Sequence, residues 1–135
     1  MKDEYYKILY ELVLESNKLN EIPVGSIVIY DNKIIGKGYN NRQTTKDVCG
    51  HAEINAIKEA EQKLGDWRLN DCILISTLHP CKMCQQVIKE SRIDKVYYFI
   101  SQEEVLNKSY QQIKSNKQYL DNINNIFLEF FKSIR

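Results

Sequence analysis

Apolar and polar positions follow two different periods along the first third of the chain. Residues 4–19 space apolar side chains three and four positions apart, which predicts an amphipathic helix. Residues 24–30 and 33–39 are short runs rich in β-branched side chains, and the Asp31-Asn32 pair between them is typical of a turn, so these runs predict a β-hairpin. Residues 40–50 are polar and are predicted to form a loop.

The rest of the chain alternates predicted helices and strands. Residues 51–64 form a predicted helix that ends at Gly65, and Pro80 is predicted to open a second one, because proline suits the first helical turn. Residues 72–78 and 95–100 are predicted strands. A final helix is predicted from apolar residues at helical spacing, namely Ile123, Ile126, Phe127, Phe130, Phe131 and Ile134. The order α-β-β-α-β-α-β-α predicts an α/β protein with a mixed sheet covered by helices.

Composition and charge limit the classes of protein to consider. With 135 residues, of which 43% are hydrophobic and 27% charged, residues 1–135 are expected to form a single globular domain. The 19 basic and 18 acidic residues leave a net charge of +1, which excludes a protein that coats polyanions over its whole surface. Residues 1–31 sum to −3 and residues 108–135 to +3. This asymmetry fits either solvated faces or a C-terminal edge that faces a polyanion.

Whether the cysteines form disulfides depends on the cellular compartment. The N-terminus is acidic and no apolar stretch approaches the ~18 residues of a membrane span, so we expect a cytoplasmic protein with reduced thiols and no membrane partner. In that compartment a Cys-x-x-Cys pair, here Cys81 and Cys84, more often binds metal or takes part in catalysis than forms a disulfide. Cys49 and Cys72 are expected to be ordinary reduced thiols.

The candidate catalytic and metal-binding residues lie at two predicted helix starts. These are His51-Ala52-Glu53 and Pro80-Cys81-Lys82-Met83-Cys84. The two cysteines stand three apart and therefore share a helix face, and the helix N-terminus favours the thiolate that binds metal. His51 can supply a third ligand. Three protein ligands leave the fourth tetrahedral position open for a water, as in catalytic zinc sites. From these residues alone, a structural zinc clip or a redox pair remains an alternative.

Glu53 follows the candidate ligand His51 by two residues. A carboxylate there can take a proton from a water activated by zinc and pass it to a departing amine, which is general base and then general acid catalysis. Such a site would hydrolyse an amidine-like carbon and release ammonia. The alternative for Glu53 is a solvated first-turn acid that interacts with the helix dipole.

The paired H-x-E and P-C-x-x-C motifs resemble the signature of the zinc-dependent cytidine/deoxycytidylate deaminase superfamily. Further segments resemble bacterial tRNA-specific adenosine deaminases of the TadA type, and they are residues 21–25, 36–40, 51–57, 67–72, 77–81, 91–93 and 130–135. The resemblance implies a three-layer α/β/α fold of the cytidine-deaminase type with a mixed central sheet.

The resemblance also implies roles for individual residues. The ligands of one Zn²⁺ per subunit would be His51, Cys81 and Cys84, with Glu53 as the proton shuttle. The target nucleoside would be contacted by Asn40, and the backbone N–H of Ala52 would meet the base or the attacking water. The walls of the base pocket would be Ile22, Pro23, Val24 and Leu78.

In this family the substrate is the wobble adenosine in the anticodon loop of an arginine tRNA, which is converted to inosine, and the enzyme is a homodimer. We therefore expect a tRNA adenosine deaminase with these partners. One alternative is a deaminase of a free base or nucleoside, of the guanine or cytosine type. A second is a non-catalytic zinc-binding subunit, although such subunits typically lack the shuttle glutamate.

Three features depart from the family pattern. His79 stands where glutamate is usual, and Gln85-Gln86 replace small residues after the second cysteine. Residues 101–110 lack the usual Asp-x-Lys-x-Gly-Ala run. For His79, a role beside the site or in contact with RNA and simple surface exposure are both open. These departures concern tRNA specificity and the dimer contact rather than the chemistry.

Overall fold

The computed structural model describes residues 1–114 and 118–133. Its helices are α1 (Asp3–Lys18), α2 (Arg42–Thr45), α3 (Ala52–Leu64), α4 (Lys82–Glu90) and α5 (Gln118–Ser133), with a 3₁₀ turn at Glu103–Val105. Its strands are β1 (Gly25–Tyr30), β2 (Lys33–Tyr39), β3 (Ile73–Leu78), β4 (Lys95–Ile100) and β5 (Gln111–Gln112). The predicted α/β class with a mixed sheet is confirmed.

The five strands form one sheet in the order β2-β1-β3-β4-β5. β1 pairs antiparallel with both β2 and β3, whereas β3, β4 and β5 are parallel. The β1–β2 hairpin turns through Asp31 and Asn32, whose φ angles of 51° and 61° lie in the left-handed region that Asp and Asn tolerate. The predicted hairpin is therefore explained by its turn residues.

Helices cover both faces of the sheet, giving the expected α/β/α layers. Along β1, Ile27 and Ile29 face the α1/α5 layer, whereas Val28 between them faces the α3/α4 layer. The first cluster also contains Leu9, Val13, Ile75, Phe99 and Ile123, and the second contains Ile57, Leu69, Leu74, Ile88 and Val96. Because successive side chains of a strand point to opposite faces of the sheet, one strand contributes to both hydrophobic clusters.

Three details differ from the sequence prediction. The predicted loop at residues 40–50 contains the short helix α2. Pro80 does not open the fourth helix, because α4 begins at Lys82 with Cys81 as its N-cap residue, so the proline precedes the cap. The strand β5 pairs only two residues, and so short a segment has no periodicity to detect. Ile134, which was assigned to the last helix, lies outside the described residues.

The helix α3 packs very closely on β2, where two glycines stand. A Cβ atom at Gly36 would meet the carbonyl of Ala56, and one at Gly38 would meet the carbonyl of Ala52. Because backbone cannot move aside as a flexible side chain can, any larger residue forces α3 away from the sheet. This contact fixes the height of the first turn of α3 over the sheet. In the described part of the chain, no helix has the length and apolar character needed to cross a membrane.

Candidate active site

The three candidate metal ligands come from the starts of two helices. His51 is the N-cap residue of α3, Cys81 is the N-cap residue of α4, and Cys84 lies in the first turn of α4. Their ligand atoms all lie within 4.8 Å of one another. The structure therefore brings His51 together with two cysteines that follow it by 30 and 33 positions, as the motif predicted.

The separations of these atoms fit a tetrahedral zinc ion. His51 Nδ1 lies 3.6 Å from Cys81 Sγ and 3.4 Å from Cys84 Sγ. Zinc bonds of ~2.3 Å to sulfur and ~2.0 Å to nitrogen place the two kinds of ligand roughly 3.5 Å apart in a tetrahedron. Two sulfurs and one imidazole are also ligands that zinc favours, so the residues present fit the metal.

Hydrogen bonding within the cluster favours the thiolate form of Cys81. Hydrogen bonds from Cys84 and His51 lower the pKa of the Cys81 thiol to about 3. The pKa of Cys84 is raised, because its thiol donates to Cys81 and is buried. The hydrogen bond to Cys81 raises the pKa of His51 in turn. The cluster thus holds a thiolate at neutral pH, which is the form of cysteine that binds metal.

Glu53 lies in the first turn of α3 and is only 4% exposed. Burial, which disfavours the carboxylate, raises the pKa of Glu53 to about 7. A carboxyl group with such a pKa gains and loses a proton near neutral pH, as a proton shuttle must. The burial also excludes the alternative of a solvated first-turn acid.

A cavity of about 380 Å³ opens over the metal ligands and Glu53. This volume lies within the range of small-molecule sites in proteins. The predicted wall residues Ile22, Val24 and Leu78 line it, as does Asn40, whereas Pro23 is fully buried and does not. The cavity is also lined by Asn20, Glu21, Arg42, Gln43, His51, Glu53, His79, Cys81, Gln102, Phe130 and Phe131.

Asn40 and Ala52 contact each other at the edge of this cavity. The backbone N–H of Ala52 donates to Asn40 Oδ1 at 2.8 Å, which satisfies one of the unpaired donors at the start of α3. Asn55 secures the same loop, since its Nδ2 donates to the carbonyl of Tyr39 and to Asn41 Oδ1, each at 3.0 Å. The side chain of Asn40 is therefore held in one orientation.

Several cavity residues were not expected from the sequence. Arg42 stands in the polar loop, where no pattern distinguishes it from other solvated residues. Phe130 and Phe131 were interpreted as helix core because of their spacing, yet both are half-buried and line the cavity. The one available signal was that two adjacent aromatic residues cannot both face the same core from a single helix.

Glu21 fixes the short helix that carries Arg42. Its buried carboxylate accepts hydrogen bonds from the backbone N–H groups of Gln43 and Thr44, at 3.1 and 2.7 Å, and from the Thr44 hydroxyl at 2.7 Å. Although burial opposes ionisation, these hydrogen bonds hold the pKa of Glu21 below its ordinary value. An ionised Glu21 therefore anchors the rim of the cavity.

Fold and site together define a metal-binding α/β protein with a buried acid beside its ligands. Residues 1–100 match the family model described as "Cytidine and deoxycytidylate deaminase zinc-binding region". A tRNA-specific adenosine deaminase from Aquifex aeolicus is 32% identical over 148 aligned positions, covering 99% of this chain and 96% of the relative. The chain belongs to this zinc-binding deaminase family.

Other relatives match over a shorter region. A tRNA-specific adenosine deaminase from Streptococcus pyogenes is 44% identical over 78 residues, which are 58% of this chain and 49% of the relative. In that alignment the chain spans about half the length of the curated relative it matches. The identity of 44% applies to these 78 residues only.

The fold of the chain is similar to those of solved deaminase structures. One from a study of A-to-I editing by tRNA:A34 deaminases has a TM-score of 0.72 and 29% identity, covering 76% of this chain and 78% of that one. The guanine deaminase of Bacillus subtilis has a TM-score of 0.69 and 34% identity, covering 77% of this chain and 68% of that one. The expected cytidine-deaminase-like fold is thus confirmed.

Replacing a candidate ligand tests the metal centre. We expect Cys84→Ala to lose bound zinc, because the chain then keeps two ligands instead of three. Zinc per chain is measured by atomic absorption after gel filtration. Cys72→Ala is the matched control, since Cys72 is also buried and unpaired but is not part of the cluster. Full zinc content in Cys84→Ala would contradict the assignment.

Glu21 predicts a pH-dependent contribution to stability. Since its folded pKa is depressed, its stabilisation is fully present above the unfolded value and is lost as pH falls through the folded value. We expect Glu21→Gln to lower the free energy of unfolding by about 1.5–3 kcal/mol at pH 7, the range for hydrogen bonds to charged groups. The difference from the parent protein should shrink below about pH 4. Urea denaturation at several pH values measures it, with the exposed Glu11→Gln as the control.

Proposed function

We propose that the protein deaminates adenosine to inosine at the wobble position of a tRNA anticodon loop, with an arginine tRNA as the expected substrate. The observation that carries this proposal is the buried Glu53 beside three ligands that fit zinc, at the floor of a cavity. The near-full-length likeness to a tRNA-specific adenosine deaminase from Aquifex aeolicus supports the choice of substrate.

In the proposed reaction each residue has a distinct task. His51, Cys81 and Cys84 would hold the zinc ion, which when bound would supply the Lewis acidity that makes water a nucleophile near neutral pH. Glu53 takes a proton from the attacking water and delivers it to the departing amine. A C–O bond forms at C6 of adenine as the C6–N bond breaks, and ammonia leaves.

The cavity residues would bind and orient the base. Asn40 would form a hydrogen bond to the nucleoside, and the apolar side chains of Ile22, Val24 and Leu78 would contact the ring. The roles of Pro23 as a wall of the base pocket and of the Ala52 N–H as a contact of the base or the attacking water stay predictions, and in the structure Pro23 is buried and the Ala52 N–H bonds to Asn40. A target base must leave the stack to enter, which costs least in a single-stranded loop.

We further propose that residues 1–135 act as one domain, that the protein forms a homodimer, and that it works in the cytoplasm. Ile123 of the last helix is buried in the same cluster as Tyr5 of the first, which supports one folding unit. All four cysteines are unpaired, as is usual in a reducing compartment.

A free purine base is the second candidate substrate. The guanine deaminase of Bacillus subtilis is 34% identical over 77% of this chain, which is the observation that favours this alternative. A cavity of about 380 Å³ accommodates a base with or without its ribose. The two candidates share the proposed roles of zinc and Glu53 and differ in what surrounds the base.

Replacing the proposed proton shuttle tests the mechanism. We expect Glu53→Ala to reduce inosine formation by at least roughly 10²–10⁴-fold, the usual contribution of general acid–base catalysis, with zinc content unchanged. The measurement is nucleoside analysis of an anticodon stem-loop after digestion, together with zinc analysis. Glu59→Ala is the control, since Glu59 is exposed on the same helix. Appreciable turnover by Glu53→Ala would overturn the mechanism.

A substrate panel tests the choice of substrate. We expect ammonia and inosine from an arginine-type anticodon stem-loop with adenosine at the wobble position, and no ammonia from free guanine or cytosine. A stem-loop with guanosine at that position is the matched control. Ammonia from guanine alone would establish the second candidate. No ammonia from any of these substrates, with full zinc occupancy, would contradict both candidates and favour the alternative of a non-catalytic zinc-binding subunit.

A further inference from the structure

His79, between β3 and the metal-binding turn, is fully buried and bonded on both ring nitrogens. Its Nε2 lies 3.0 Å from the backbone N–H of Asn107, and its Nδ1 lies 3.0 Å from the carbonyl of Pro80. A backbone N–H can only donate and a carbonyl can only accept. The ring is therefore the neutral tautomer with hydrogen on Nδ1, donating to Pro80 and accepting from Asn107. Simple surface exposure, one of the two expectations for His79, is wrong.

Gln85 binds the same carbonyl from the other side. Its Nε2 donates to the carbonyl of Pro80 at 3.0 Å and to that of Val105 at 2.6 Å. The Pro80 carbonyl thus receives two donors, which matches the two lone pairs of a carbonyl oxygen. We call His79, Gln85 and the carbonyl they share the Pro80 clamp.

The Pro80 clamp joins two parts of the site that are far apart in sequence. Pro80 immediately precedes the ligand Cys81. Val105 and Asn107 belong to the segment that begins with Gln102, whose side chain lines the cavity and donates to the carbonyl of His79. One end of the clamp therefore holds the metal-binding turn, and the other end holds a wall of the cavity.

Aromatic packing keeps the clamp in a fixed place. The edge of the His79 ring meets Tyr98, with ring centroids 4.6 Å apart, and Tyr110 lies 5.4 Å away at a tilt. Tyr98 belongs to the central sheet and is buried, so the ring is braced by the rigid part of the fold. Two of the sequence departures noted above, His79 and Gln85, thus contact the third, the 101–110 segment.

We propose that His79 and Gln85 are positioning residues, which hold Cys81 and the 102–107 segment, whose Gln102 lines the cavity, in one fixed arrangement. His79 is among the residues around the cavity, but it is fully buried and both of its ring nitrogens bond to the backbone, and Gln85 does not line the cavity. Both residues therefore act through the backbone on either side. The catalytic part of the test rests on the proposed function, whereas the metal part does not.

The test compares the same substitution at neighbouring positions of α4. Gln85→Met keeps the length of the side chain and removes both hydrogen bonds, and Gln86→Met is the control at an exposed position. Zinc is replaced by cobalt(II), whose visible spectrum reports the geometry around the two sulfurs. For Gln85→Met we expect a shifted cobalt spectrum and roughly 10-fold weaker metal affinity in chelator competition, as is typical when groups supporting a ligand are lost.

The kinetic readout separates positioning from chemistry. On the stem-loop substrate we expect Gln85→Met to raise KM by a larger factor than it lowers kcat, because the cavity wall is displaced while Glu53 stays in place. If the parent protein deaminates no substrate, the proposed function fails, and the cobalt spectrum and metal affinity still decide the role of the clamp.

A double-mutant cycle with His79→Gln tests whether the two residues act together. Glutamine retains a donor and an acceptor, so the buried position stays polar. We expect the losses of metal affinity to be non-additive, because both residues bind one carbonyl. Additive losses would overturn the shared clamp. A lower melting temperature in Gln85→Met, with the cobalt spectrum, metal affinity and KM all unchanged, would show a merely structural role and overturn the proposal.

Discussion

The close contact between α3 and β2 is the constraint on which the rest of the site depends. With glycine at positions 36 and 38, the backbone of the helix lies directly on the strand. This places the first turn of α3, with His51 and Glu53, beside the turn that β3 delivers to α4. A separation larger by one methyl group would open the distances among three ligand atoms that now lie within 4.8 Å.

The starts of α3 and α4 hold two ionisable groups that need opposite surroundings. A cysteine thiolate needs hydrogen-bond donors, and Cys84 first and then His51 supply them to Cys81, which lowers the pKa of its thiol. Glu53 needs the opposite, surroundings that disfavour its carboxylate, and burial of the side chain supplies them by raising its pKa. Cys81 and Glu53 can therefore lie close together with very different pKa values, because the pKa of each is set by its own immediate neighbours.

Sequence predicted those parts of the molecule that depend on local pattern. The long helices, the hairpin with its Asp31-Asn32 turn and the ligand cluster all follow from periodicity or motif spacing. The cavity wall could not be predicted in this way, because α2 is a single turn held by the distant Glu21. The strand β5 was also missed, because two residues show no period. The burial of His79 was equally hidden, since its partner Asn107 comes 28 positions later. Such contacts depend on the three-dimensional path of the chain, not on the residues nearby.

The bond between the Ala52 N–H and Asn40 Oδ1 has a consequence for molecular recognition. That bond uses one lone pair of Asn40 Oδ1 and orients the side-chain amide, so that its NH₂, a hydrogen-bond donor, points away from the Ala52 N–H. A ring that presents a lone pair to this NH₂ gains a hydrogen bond, whereas a ring that presents an N–H to it does not. The backbone N–H of Ala52 thus affects ligand specificity without contacting the ligand, because it orients the hydrogen-bonding groups of Asn40 at one side of the cavity.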